Sequence, residues 1–157
     1  MNADSVRELY EYHFSANRIL WDRCIMGLTL EEFRRKLPYS LGSIRNQVVH
    51  LMNIEDRWFS GLRGVDIPGI LNPVYFGNQI VVRARWDTIE SHMHDYLAKL
   101  DATELSRQLD DHATVWQVLF HVLNHGTDHR AQTLAMLAQL NVKGFPQDYY
   151  LYLRGKL

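Results

Sequence analysis

Four stretches of this chain repeat their apolar residues at steps of three and four, and no stretch alternates convincingly at a step of two. That pattern restricts the chain to helices packed on helices. The first stretch covers residues 4–26, with Val6, Tyr10, His13, Asn17, Leu20, Trp21 and Cys24 on one face. The second covers 43–62, with Ile44, Val48, Leu51, Ile54, Trp58 and Leu62 as its stripe. The third covers 80–100, where Val82, Trp86, Ile89, Met93, Tyr96, Leu97 and Leu100 repeat almost as a heptad. The fourth and longest covers 115–140. Ser43 and Thr114 stand where N-caps belong, Thr114 with Gln117 forms a capping-box pattern, and Gly144 and Pro146 follow as stop signals. The expected fold is an all-α four-helix bundle formed by residues 1–157 as one domain. The aromatic tail GFPQDYYLYLRGKL is expected to dock on the bundle or on a second subunit.

The connection between the second and third stretches, GLRGVDIPGILNPVYFGNQ, is too long and too rich in glycine and proline for a tight hairpin. Extended, about 18 residues reach about 55–65 Å, whereas a twenty-residue helix is only about 30 Å long. The linker can therefore carry the chain back along the bundle, so that helices two and three run parallel. A surface excursion is the alternative. A shorter echo links SIRNQVVH, ending at His50, with TVWQVLFH, ending at His121, and hints at two related halves.

Several function classes are set aside by composition. With 17 basic and 18 acidic side chains there is no cationic excess of the kind a phosphate reader needs, so no nucleic-acid partner is expected. No apolar run approaches the ~20 residues of a membrane span. The opening MNADSVRELYEYHF has no basic segment followed by an apolar one, so no secretory signal is expected. Cys24 is the single cysteine, which rules out an internal disulfide and fits a cytoplasmic setting. Its place on an apolar stripe marks it as a buried thiol rather than a nucleophile.

Chemistry is concentrated in the histidines. The segment HVLNHGTDHRAQ spaces His121, His125 and His129 by four. Neighbours at this spacing lie on one helical face and can share an ion. The outer two are about 12 Å apart along the axis, so all three do not bind one metal together. On a helical wheel His125 and His129 fall within about 20° of the line through Val118, Val122 and Met136, while His121 lies about 60° off. His125 and His129 are thus the inward pair, and His121 is a flanking or outer group. A catalytic zinc usually takes three protein ligands and leaves a position open. His50, at the edge of the second stripe, is the third candidate, supplied from a facing helix. Ordinary packing also accounts for an inward histidine pair. For His92, His94 and His112 that ordinary role is preferred.

Two charges fall on apolar faces, Glu55 on the second helix and Arg130 on the fourth. Buried charges need partners, so a pairing across the bundle is the simplest account, with an anionic substrate on Arg130 as the alternative. His13 and Asn17 sit near the centre of the first stripe, where they either line a pocket above the metal or serve as ordinary satisfied polar residues.

HLMNIEDRW from His50 and WQVLFHVLNHGTDHRAQTLAMLAQL resemble the DinB/YfiT-like superfamily, as do YHFSANRIL and the closing PQDYYLYL. The resemblance covers nearly the whole chain. Its most specific part is HVLNHGTDHRAQ, matching the pattern H-x3-H-x3-H-R-G-Q except that Ala131 replaces the usual glycine, a position that touches no ligand. The resemblance implies an up-down-down-up bundle, often dimeric. It also implies a metal triad which, position by position, is His50, His125 and His129. It further implies zinc, nickel or another divalent ion, and in characterised relatives a transferase or isomerase using mycothiol, bacillithiol or glutathione; many relatives are known only as damage-inducible. The expected function is metal-dependent transfer of a low-molecular-weight thiol to a small-molecule substrate by a homodimer. A non-catalytic metal- or ligand-binding bundle and a metal-dependent hydrolase are the alternatives.

Overall fold

The computed structural model describes residues 2–157. The four long helices are α1 (Ala3–Ile19), α3 (Ile44–Leu62), α4 (Gln79–Ala98) and α6 (Val115–Gln139). Three five-residue helices lie between or after them: α2 (Leu30–Arg34), α5 (Ala102–Ser106) and α7 (Tyr149–Leu153). The sequence does not announce these, because five residues hold too few turns for a period to show. Thr29 and Glu32 nonetheless form a full capping box at α2. Among the described residues the only β pairing is an isolated bridge between Gln108 and Thr114. No helix among them is long and apolar enough to cross a membrane.

Side-chain pairings set the helix directions. Tyr10 of α1 donates to the Leu119 carbonyl at 2.9 Å, and Arg130 of α6 reaches His13 and Asn17 further along, so α1 and α6 run parallel. Gln47, His50 and Trp58 of α3 meet His129, His125 and His121 in reverse order, so α3 opposes α6. Glu55 meets Trp86 and Phe59 meets Tyr96, so α3 and α4 run parallel. Arg18 meets Asp87 while Arg7 reaches the carbonyls of Leu97 and Leu100, so α4 opposes α1. The order is up-down-down-up.

Two parallel neighbours joined in sequence require a chain return, and the linker supplies it as a crossover rather than an excursion. Ile67 lies against Gly61, the Pro68 carbonyl accepts from Arg57, and Asn53 receives Gly69 and Leu71. The linker therefore climbs back along α3, and Asn78 caps α4 by accepting from the Val81 amide.

The stripes are mostly buried as their periods require, with two departures. The first helix does not stay α-helical to residue 26. It widens into a π-helical turn over Leu20–Ile25, which turns Leu20, Trp21, Cys24 and Ile25 all inward. A period read over so few residues does not separate this wider turn from an α-helix. Trp58 is the second departure, being 40% exposed although it lies on the expected α3 stripe. α3 packs against α4 and α6 and meets α1 through Glu55 and Phe59, so its buried arc is centred on Met52, Glu55 and Phe59. Trp21 and Trp86 cross edge to face at 5.9 Å in the core. The tail docks on its own bundle: Tyr12 donates to the Gln147 carbonyl at 2.6 Å and packs edge-on to Tyr149 and Tyr152.

Candidate metal centre

α3 and α6 face each other in opposite directions, so a side chain halfway along one meets its counterpart on the other. His50 on α3 meets His125 on α6, with 3.1 Å between their Nε2 atoms. One turn on, the His129 ring lies 4.3 Å from that of His125 and 4.6 Å from that of His50, centroid to centroid. The three residues each offer a nitrogen, and these nitrogens all lie within 4.8 Å of one another.

The protonation states favour a cation there. Burial pushes the His125 imidazole down to about 4, and the neighbouring His129, His50 and His121 rings add to the drop. Burial likewise lowers His50, helped by His129, and lowers His129 against the opposing pull of Asp128. Near neutral pH all three rings are thus neutral and carry a lone pair, the form a metal needs. Three convergent neutral imidazoles suit zinc, nickel, copper or iron.

A residue outside the sequence reading orients one of these rings. His129 Nδ1 lies 2.8 Å from Gln47 Oε1. The Gln47 amide nitrogen donates to Ser40 Oγ at 2.6 Å, which identifies Oε1 as the acceptor. His129 therefore carries its proton on Nδ1 and turns the bare Nε2 toward the other two histidines. Gln47 is fully buried, and Ser40 in turn is bonded to Gln132 on α6, so the strut is closed at both ends. A glutamine three residues before His50, hence on its side of the helix, was the available signal.

His121 does not join the triad. It is exposed, its ring rests against the edge of Trp58 at 5.4 Å, and its centroid is 6.1 Å from that of His125. The other residues singled out from the sequence form a separate, sealed cluster. Glu55 and Arg130 are buried but do not pair directly, because His13 stands between them. Its Nε2 is 2.8 Å from Glu55 Oε1 and its Nδ1 is 3.0 Å from Arg130 Nη1. Glu55 only accepts and Arg130 only donates, so the ring is the neutral tautomer with its proton on Nε2. Burial lowers the His13 proton affinity further, against the opposing pull of Glu55. Asn17 joins the cluster by accepting from Arg130 at 3.0 Å and donating to Glu55 at 3.3 Å. Trp86 donates to the other Glu55 oxygen at 2.6 Å, and Gln147 and Thr127 accept from the remaining guanidinium nitrogens. His13 and Asn17 are cut off from solvent, so they serve this cluster rather than wall an open pocket. Gly126, beside His125, makes the cluster possible. A Cβ there would lie 2.3 Å from His13 Cε1, so only glycine lets α1 approach α6 this closely.

Comparison with known proteins follows the same lines. The DinB family model matches residues 1–156. The chain belongs to the DinB family. Protein DinB of Bacillus subtilis (strain 168) is similar to it, with 27% identity over 168 residues, covering 96% of this chain and 95% of the relative. A DinB-family bundle with three histidines converging from α3 and α6 is therefore a coherent metal-site candidate.

Proposed function

We propose that this DinB-family protein holds a divalent ion, zinc or nickel, on His50, His125 and His129, and transfers a low-molecular-weight thiol to a small electrophile. The observation that carries the reading is the meeting of three neutral imidazoles from two antiparallel helices. A divalent ion on three neutral ligands supplies a net positive charge and an open position, which lower the pKa of a thiol or water placed there. The histidines themselves act as ligands, not as acids or bases. Gln47 holds His129 in the binding tautomer. Glu55 is spent on His13, Asn17 and Trp86, so it holds the helices in register and does not exchange protons with a substrate. The lone cysteine, Cys24, is buried near the Lys143 carbonyl, which leaves the reactive thiol to come from a cosubstrate and suits a reducing, cytoplasmic setting. Homodimerisation belongs to the same reading, supported by the exposed Trp116 and Phe120 on the outer face of α6.

Metal analysis and turnover test this in sequence. Purified protein is expected to take up one equivalent of zinc or nickel, and His125→Ala to lose it. Metal-loaded protein is then expected to consume thiol from a panel of small thiols with a model electrophile, faster than free metal does. Undiminished uptake by His125→Ala would remove the triad. Uptake without thiol consumption would leave a metal-binding bundle without turnover.

A further inference from the structure

Five side chains form one hydrogen-bonded line that starts on a histidine of the triad and ends at the protein surface. His129 Nδ1 lies 2.8 Å from Gln47 Oε1. The Gln47 amide nitrogen donates to Ser40 Oγ at 2.6 Å and lies 3.3 Å from Gln132 Oε1. Ser40, in the loop before α3, donates to Gln132 Oε1 on α6. The Gln132 amide nitrogen donates to Asp128 Oδ2 at 2.9 Å, one turn back on the same helix. Asp128 itself is exposed.

Direction is what such a line can transmit. Run this way, it leaves the His129 proton on Nδ1 and a bare Nε2 for an ion. Run in reverse, Gln47 would donate to Nδ1, and the ring proton would sit on Nε2, where it blocks coordination. An amide can turn over and a hydroxyl can rotate, so Gln47, Ser40 and Gln132 serve either direction equally. A carboxylate near neutral pH only accepts. Asp128 is therefore the one member from Gln47 outward whose polarity is fixed. It holds the Gln132 nitrogen toward itself and turns the Gln132 oxygen toward Ser40 and Gln47.

The backbone at Ser40 is a second, independent observation. Its φ is +47°, in the left-handed region that favours glycine. Ser40 is exposed, so burial gives no reason for a side chain there. What serine adds to glycine at this position is the hydroxyl, which accepts from α3 and donates to α6.

We propose that Asp128 and Ser40 are positioning residues of the metal centre. Asp128 sets the direction of the line, and Ser40 passes it from α6 to Gln47 on α3, so that His129 presents a bare Nε2. The inference rests on the metal-centre reading and extends that centre to a carboxylate on the surface.

The tautomer can be read without any metal. Long-range ring correlations in the full chain with isotope-labelled histidines distinguish Nδ1–H from Nε2–H at about pH 8, where an imidazole is neutral. Zinc affinity is measured on the same samples by competition with a chromophoric chelator. The parent is expected to hold His129 as Nδ1–H alone. Gln132→Leu cuts the line but leaves the Asp128 charge in place, and Asp128→Ala removes the accepting end. Each is expected to mix in the Nε2–H form and to weaken zinc about three- to tenfold, the worth of one hydrogen bond. Ser40→Gly, which suits the backbone, is expected to do the same with helical circular dichroism unchanged. Asp128→Glu keeps an acceptor one turn from Gln132 and is expected to restore both the tautomer and the affinity. A ring that stays purely Nδ1–H in Gln132→Leu, Asp128→Ala and Ser40→Gly, or that is Nε2–H in the parent, overturns the inference. Zinc uptake by the parent reports separately on the triad. Uptake with an unresponsive tautomer sinks the positioning role alone, and a responsive tautomer without uptake sinks the metal-centre reading alone.

Discussion

At the scale of single residues, the site depends on two that carry no chemistry of their own. Gly126 costs helix stability, about 1 kcal/mol relative to alanine in a helix interior. Its role is the space taken by His13, whose ring is hydrogen-bonded at both nitrogens and cannot step aside. Gly126→Ala would place Cβ 2.3 Å from His13 Cε1 and 2.9 Å from its Nδ1. Overpacking usually costs about 1–3 kcal/mol, and here it outweighs the propensity gain. The expected result is a net loss of about 1 kcal/mol, read as a fall in Tm of about 2–4 °C; a variant as stable as the parent would contradict the close approach. Gln47 acts on the triad through His129. Gln47→Leu keeps the volume but removes the acceptor for Nδ1–H, and losses of an outer hydrogen bond to a ligand typically cost about 10–100-fold in metal affinity. Competition with a chromophoric chelator is expected to show that loss while the helical circular dichroism is unchanged. Equal affinity would mean that packing alone sets the ring.

At the scale of elements, the crossover makes the bundle what it is. Parallel α3 and α4 need a return strand of chain, and a surface strand must satisfy its backbone groups without a sheet. Asn53 does this from α3 by taking the Leu71 amide and supplying the Gly69 carbonyl. Asn53→Leu is expected to leave the long helices intact but to release the linker. Amide exchange across residues 67–75 should quicken by about tenfold or more, the equivalent of about 1.4 kcal/mol of local protection, with little change inside α6. Unaltered exchange in that segment would show that the apolar contacts of the crossover suffice. The π-helical turn after α1 has a related function, since it turns four side chains into the core in six residues.

At the scale of the whole molecule, buried neutral histidines tie stability to pH. His13, His50, His125 and His129 all have folded-state proton affinities below the ordinary value of 6.5. Below that pH the unfolded chain binds protons that the folded chain refuses, so stability is present above about 6.5 and is lost as pH falls toward the folded values, about 4 for His125. The metal-free protein is expected to hold a steady Tm from about pH 8 to 7 and to lose stability steadily between about pH 6.5 and 5, where most carboxylates are still ionised. His125→Gln should flatten that slope. A Tm that rises on acidification would contradict the neutral, buried state of these rings.

The sequence by itself determined the four long helices, their approximate limits and the inward pair His125 and His129, because apolar periodicity and i, i+4 spacing are properties of one helix and need no partner, while it offered His50 only as a candidate from a facing helix. It also marked Glu55, Arg130, His13 and Asn17 as polar groups on inward faces. What each of them touches was decided only by tertiary structure. His13 stands between the two charges because Gly126 admits α1, and that distance is set by two helices far apart in sequence. The same holds for Gln47, whose acceptor meets His129 across 82 positions. The exposure of Trp58 follows from where the neighbouring helices meet α3, on the side of Met52, Glu55 and Phe59. A local pattern tells which way a side chain faces, but its partner is selected by the packing of the whole bundle.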